Sequence, residues 1–266
     1  MSGEGDTYTL EEKKSTILKS RENMMRTAAK LYYSQWKMNP KSQAAFSFLK
    51  NKYNLSFREI TKLGLGFHDG DPYLTRKVFS TSQQQEEAEK YHLVFKSNSG
   101  TYCDKMRNSI IIPTVDLSGN VQCFDFYSCR ENRLHRYPKS EVFNRRNSLY
   151  SLNLAVKTGA NNVFIVTNYT DYFLLVSHGI WNVVSTYFPR ITEGQMDLLK
   201  RHFAVVLPLI NAEVNFNNCR LYTRKHNMYT ESVDLQGEKT VQAFLNEKGS
   251  YESLTEISDE INRVEF

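Results

Sequence analysis

Four cysteines are all the sequence holds, and none forms a C-x-x-C pair or joins a Cys/His cluster at zinc-ligand spacing. Cys103, Cys123, Cys129 and Cys219 are therefore expected as reduced thiols, which argues against a disulfide scaffold and for a cytoplasmic location. Long apolar runs are missing too. None approaches the roughly 18 residues of a membrane span, so no membrane partner is expected. The opening MSGEGDTYTLEEKK lacks the apolar core of a signal peptide. There is no internal repeat and no low-complexity linker. What remains is 266 residues with ordinary globular composition, long enough for one large domain or two small ones. The formal charge of +5 permits nucleic-acid binding without requiring it. The 16 Tyr and 16 Phe are expected mainly in packing, with one or two available for base stacking.

Residues 1–14 are polar and are expected to be disordered. From Ser15 to Trp36 the apolar residues Ile17, Leu18, Met24, Met25, Ala28, Leu31 and Tyr32 recur at helical spacing. Ser42 is placed to cap a second helix, and Ser56 a third, FREITKLG, closed by Gly64. The glycine-rich GLGFHDGDP reads as a turn, with His68, Asp69 and Asp71 in it as turn residues rather than metal ligands. A helical stretch follows around Tyr73–Phe79, and Ser80–Lys90 suits a helix or a loop. RNSIIIPTVDLSGNVQCFDFYSC has two β-rich runs around Asp116–Gly119, a hairpin signal. The next block is dense in cations: Arg130, Arg133, His135, Arg136, Lys139, Arg145 and Arg146, with Tyr137 and Phe143 among them. After Val156 the pattern becomes βαβ. Strands NNVFIVT, WNVVST and FAVVLPLI alternate with helices YTDYFLLVSHG and TEGQMDLLKRH, which argues for a parallel sheet. Residues 221–266 are polar, with amphipathic helices expected at Lys239–Asn246 and Tyr251–Arg263.

In this order the segments resemble the RNA-polymerase core of bacterial and phage DnaG-type primases, TOPRIM fold included. AFSFLKNKYNLSFREITKLGLGF resembles the family's helix–RGL–helix–LGY opening, with Tyr53-Asn54 where the family has Arg-Gly. In YCDKMRNSIIIPTVDLSGNVQCF, the residues Arg107, Pro113, Asp116, Gly119, Val121 and Phe124 match a second family segment. In RYPKSEVFNRRNSLYSL, Tyr137, Phe143, Leu149, Tyr150 and Leu152 match a third, and Arg136 and Arg145 keep the charge of two family lysines. VFIVTNYTDYFLLVSHGIWNVVST resembles the family's V-V-E-G-Y-x-D-V block. The resemblance implies a mixed α+β and α/β fold. A basic subdomain is expected over 15–155, a TOPRIM-like βαβ sheet over 156–220 and a short helical tail over 221–266.

The same resemblance carries expectations about the site. A TOPRIM site places a glutamate after its first strand and a D-x-D pair after a later one, because Mg²⁺ or Mn²⁺ needs carboxylate oxygens. Here Thr167 stands at the glutamate position and Asn168 at the glycine. Asp171 matches an acidic position, and is either a relic ligand or an exposed residue favoured by the helix dipole. The D-x-D position falls on Ile210 and Ala212, or on Asn211 and Glu213. The relic positions Thr167, Asp171 and Glu213 offer two carboxylates at most, Asp171 and Glu213, too few for a two-metal site. No metal or other cofactor is therefore expected, and Mg²⁺ or Mn²⁺ only if the site is active. Nucleic-acid contacts are expected from Arg107, Arg130, Arg136, Tyr137, Lys139, Arg145 and Arg146, although Ser109 and Tyr127 stand where the family carries arginine. The expectation is a catalytically inactive primase relative in DNA replication, of phage or mobile-element type. Its partners would be single-stranded DNA, replicative helicase, primase or single-strand-binding protein. An active primase with a rearranged metal site, and a pure interaction or inhibitor module, stay open as alternatives.

Overall fold

The computed structural model describes residues 10–138, 143–209, 213–225, 227–230, 233, 241–247 and 249–264. In chain order it runs α1 (Leu10–Met38), α2 (Ser42–Tyr53), α3 (Phe57–Leu63), β1 (Gly66–His68), α4 (Ser82–Lys90), β2 (Val94–Lys96), β3 (Tyr102–Asp104), β4 (Ser109–Val115), β5 (Val121–Ser128) and β6 (Arg133–His135). It continues α5 (Leu152–Val156), β7 (Asn162–Val166), α6 (Tyr169–Ser177), β8 (Val183–Ser185), α7 (Glu193–Lys200), β9 (Val205–Pro208), α8 (Glu213–Lys225), β10 (Tyr229–Thr230), α9 (Val241–Leu245) and α10 (Ser250–Asn262). A π-helical turn covers Leu74–Val78 and a 3-10 turn covers Arg145–Asn147. The first helix starts at Leu10, so the expected disorder over 1–14 does not reach residues 10–14.

The first compact unit draws on α1, residues 64–113 and residues 120–137. Its sheet has the order β1-β4-β5-β6. Met24, Met25, Ala28 and Tyr32 put one stripe of α1 into a core with Ile111 and Phe124. Within the segment expected as a glycine-rich turn, Gly66–His68 is strand β1, pairing Phe67 with Ile110, while residues 69–72 turn as expected, with Asp69 Oδ1 accepting the Asp71 N–H at 3.0 Å. The strand's glycine serves proximity. A Cβ at Gly66 would stand 2.5 Å from the Tyr32 Cβ, so only glycine lets the strand pass against α1.

The second unit gathers residues 46–63, 114–119 and the chain from 138 onward. Its sheet is parallel in the order β10-β9-β7-β8, with Phe164 opposite both Val183 and Leu207. The central strand is buried along its whole length, which is why NVFIV reads as a continuous apolar run. Val163, Ile165, Val184 and Val206 pack with Met196 and Leu199 of α7 in one core cluster. Aromatic rings fill another region of the unit, with Tyr150 edge-on to Tyr169 and Tyr172.

These units differ from the expected division at residue 155. Tyr53 of α2 packs its ring 5.3 Å from Phe173, and the Lys62 ammonium sits 3.4 Å from the Trp181 ring centroid. Tyr150 bonds to the backbone of Ser185 in both directions, at 3.0 and 3.3 Å. Side chains early in the sequence thus complete the later sheet's core. The helical tail packs on that sheet. Asn162 at the start of β7 donates from Nδ2 to the Ser258 carbonyl (2.9 Å) and Asn262 Oδ1 (3.0 Å) of α10. Its Oδ1 accepts from Asn182 Nδ2 (2.8 Å) and Ser258 Oγ (3.0 Å).

Candidate functional site

The turn after β7 is where the TOPRIM pattern puts chemistry. Thr167 is half-buried there and carries no charge. Asn168 caps α6: its Oδ1 accepts the Asp171 N–H at 2.9 Å, and its Nδ2 donates to Asp171 Oδ2 at 2.7 Å. Asp171 is only 3% exposed, so the expectation of a solvated first-turn carboxylate is corrected. Burial pushes its carboxyl up from the ordinary value, and the Asn168 bond opposes that only in part. Tyr251 of α10 feels the same neighbourhood: burial, then the Asp171 charge, push its phenol up to about 12. His178, at the end of α6, stacks on Tyr251 with ring centroids 3.4 Å apart. That is a packing role.

A divalent hard cation needs several converging carboxylate oxygens. The turn supplies a neutral hydroxyl, an amide committed to capping and one inward carboxylate already bonded. These residues do not fit a Mg²⁺ or Mn²⁺ site. Among the described residues no group of three or more His, Cys, Asp or Glu stands close enough to hold a metal ion. Ile210, Asn211 and Ala212 lie outside the described residues, and Glu213 opens α8.

The expected nucleic-acid contacts divide between the units. Arg107 is exposed in the first unit, and its Nε donates to the Gly70 carbonyl at 2.7 Å. Arg130, Arg133 and Arg136 are exposed around the β5–β6 hairpin. His135 stacks on Phe126 at 4.7 Å and bonds Glu131 at 2.7 Å. Tyr137 is not an open stacking surface. It is 3% exposed, its N–H donates to Asp125 Oδ1 at 2.6 Å, and its ring meets His92 edge-on. In the second unit Arg146 is exposed, whereas Arg145 is buried over the Phe143 and Tyr187 rings, 5.4 and 5.5 Å from their centroids. Cation–π packing therefore accounts for Arg145, against its expected place in an open contact face. Lys139 lies outside the described residues.

Two structural residues at this level were not foreseen. Gln195, fully buried, donates from Nε2 to the carbonyls of Arg145, Ser148 and Thr186, each at 2.9 Å. It thereby ties the basic turn to α7. The T-x-x-Q capping box that it forms with Thr192 is the signal that could have found it. Asp104 is the other. Its carboxylate accepts from Leu74 N–H (2.8 Å), Thr75 N–H (2.9 Å), Thr75 Oγ (2.8 Å) and His68 Nε2 (3.1 Å). His68 Nδ1 accepts the Gly70 N–H at 3.0 Å, so the ring proton sits on Nε2 and points at Asp104. Burial alone raises the Asp104 carboxyl, but these bonds outweigh it and hold it below the usual range. The pair is 1% and 0% exposed, without solvent access, and so belongs to the fold. No sequence pattern marks it, because 36 residues separate its members.

Comparison with known proteins agrees with the architecture. Residues 31–156 match the N-terminal domain of the DNA primase catalytic core. A DNA primase from Legionella pneumophila is 27% identical over 185 residues, 68% of this chain and 31% of that protein. One from Clostridium acetobutylicum is 27% identical over 191 residues, 70% of this chain and 31% of that protein. The chain spans about a third of the length of these curated relatives. Among solved structures, the Aquifex aeolicus primase zinc-binding and RNA-polymerase domains superpose with a TM-score of 0.78 at 19% identity, covering 92% of this chain and 61% of that one. A DnaG primase catalytic domain bound to single-stranded DNA gives 0.76 at 16% identity, with 92% and 83% covered. The resemblance to DnaG-type primase cores therefore holds, and the fold is that of the DnaG catalytic core.

Proposed function

We propose that this DnaG-primase-like chain serves DNA replication by holding single-stranded DNA, not by polymerising primers. The observation that carries the reading is the turn at 167–171. Metal-assisted phosphoryl transfer needs carboxylates open to cations, and here Asp171 is buried and bonded to Asn168 beside a neutral Thr167. In this reading the parallel sheet β10-β9-β7-β8 is the TOPRIM-like part, kept as scaffold. The exposed Arg107, Arg130, Arg136 and Arg146 gain affinity for phosphates by releasing counterions. The related DnaG catalytic domain solved with single-stranded DNA supports the same ligand. The chain works in the cytoplasm beside a replisome partner such as the replicative helicase, an active primase or single-strand-binding protein.

The test is binding to a single-stranded oligonucleotide across a salt series. The triple change Arg130→Ala, Arg136→Ala, Arg146→Ala removes three of these exposed cations. It should weaken binding for all sequences alike and reduce the salt slope by about 2, at roughly 0.7 per phosphate contact. No binding even at low salt removes this reading and makes the interaction module the leading one.

A further inference from the structure

The second unit has a cleft at the end of its parallel sheet opposite the 167–171 turn. Lys157 and Ala160 precede β7, residues 179–182 precede β8, and all of them line the cleft, whereas the turn follows the carboxyl end of β7. Lys62 of α3 and one face of α10 complete walls around about 370 Å³, the low end of the small-molecule range.

The cleft holds charges of both signs, and they do not pair with each other. Lys62 and Lys157 are exposed cations that make no ion pair among the described residues. The Lys62 ammonium rests instead on the Trp181 ring, and Glu59 of the same helix is taken up by the Ser56 N–H and hydroxyl. Burial, then the Arg58 charge, pull that ammonium below its ordinary value, so a carboxylate arriving there relieves an unbalanced positive charge. Asp259 of α10 lines the same cleft and likewise makes no ion pair among the described residues. Asn182 is 8% exposed, and its Nδ2 is committed to Asn162 Oδ1 (2.8 Å) and Ser258 Oγ (3.0 Å). Its Oδ1 is left as a buried acceptor on the cleft wall, without a donor among the described residues. Leu154 and Trp181, both half-buried, supply apolar wall.

Cations, a carboxylate, a buried acceptor and apolar surface in one cavity match a small molecule carrying a carboxylate, an ammonium and an apolar group. We propose that this cleft binds an α-amino acid with an apolar side chain. Its carboxylate lies on Lys62 and Lys157, its ammonium on Asp259 and Asn182 Oδ1, and its side chain against Leu154 and Trp181. Because α10 supplies one wall and α3 and α5 supply others, the bound amino acid joins the helical tail to the body of the unit. The site shares no residue with the nucleic-acid reading above and does not depend on it.

The experiment is isothermal titration of the full chain with L-leucine, and with isocaproate and isoamylamine, which lack its ammonium and its carboxylate respectively. Leucine should bind roughly fivefold or more tighter than either analogue, because each analogue leaves one charged set unpaired. Lys157→Ala and Asp259→Asn change exposed side chains, and thermal melting confirms that each variant is folded. Asp259→Asn should lower leucine affinity roughly fivefold or more while leaving isocaproate unchanged, and Lys157→Ala should weaken both. Bound leucine should also slow hydrogen exchange over 250–262, since α10 forms part of the site. The proposal is overturned if leucine fails to bind the wild type at about 10 mM, or if either analogue binds as well as leucine. It is overturned equally if the folded variants bind leucine as the wild type does. Leucine binding with unchanged exchange over 250–262 places the ligand elsewhere and removes the cleft.

Discussion

Replacing Asp104 with asparagine tests whether the His68–Asp104 pair is purely structural. The carboxylate accepts four hydrogen bonds, two on each oxygen. Asparagine keeps one oxygen, so two bonds survive. Its amide group must then face the other two donors, either Leu74 N–H and His68 Nε2–H or the two groups of Thr75. His68 cannot adapt by moving its proton without losing the Gly70 bond. Hydrogen bonds to a charged group contribute about 1.5–3 kcal/mol each, so losing two of them costs about 3–6 kcal/mol. We expect Asp104→Asn to destabilise the first unit by about 3–6 kcal/mol at pH 7. With a slope of about 2 kcal/mol per M, the urea midpoint should fall by about 2 M. Trp36, buried in that unit, gives the readout in a Trp181→Phe background, because the other tryptophan lies in the second unit. The pH dependence has a definite sign. The folded carboxyl lies below its unfolded value of about 3.9, so its stabilisation is complete above that value and is lost as pH falls through the folded one. The variant should lose that share of the acid dependence and keep the share of Asp69, whose carboxyl is also held below its ordinary value. A loss under about 1 kcal/mol, or an unchanged acid limb, would refute the reasoning.

Other residues give further tests. Asp171 has a folded value above its unfolded one, so its charge costs stability as pH rises through that interval. Asp171→Asn should therefore be at least as stable as the wild type at pH 7 in urea unfolding, and less stable only if the carboxylate is a needed acceptor. Asn162→Ala removes four bonds joining β7, Asn182 and α10, and should cost about 2–4 kcal/mol. Hydrogen exchange over 250–262 should rise before that of β7, and uniform exchange across both would contradict a separately docked tail. Gln195→Ala leaves three buried carbonyls without their donor and should lower the melting temperature by several degrees without altering m in denaturant.

Much of the second unit was legible because its signals are local. Three apolar runs separated by helical patterns can hardly build anything except a parallel sheet, and β7, β8 and β9 form one. Ser56 and Gly64 bracket α3 as their chemistry requires, with the Ser56 hydroxyl accepting the Arg58 N–H and Gly64 at φ +64°. What stayed hidden depends on contacts distant in sequence. β1 looked like a turn because Gly66 was read for flexibility, whereas its missing Cβ serves the approach to Tyr32. Tyr137 and Arg145 looked like surface groups because composition cannot say which aromatic or cation faces inward. Asp171 shows the same blindness, since its Asn168 partner reads equally well as a simple helix cap. Residues 46–63 join the later sheet through Tyr53 and Lys62, a grouping no linear division could express.

The most direct measurement of the central claim is RNA synthesis on a single-stranded template with nucleoside triphosphates and Mg²⁺ or Mn²⁺. The account predicts a protein–template complex and no primer-length product with either ion. Product made by the wild type and abolished by Asp171→Ala would contradict it, by showing that the buried carboxylate in the first turn of α6 still supports phosphoryl transfer.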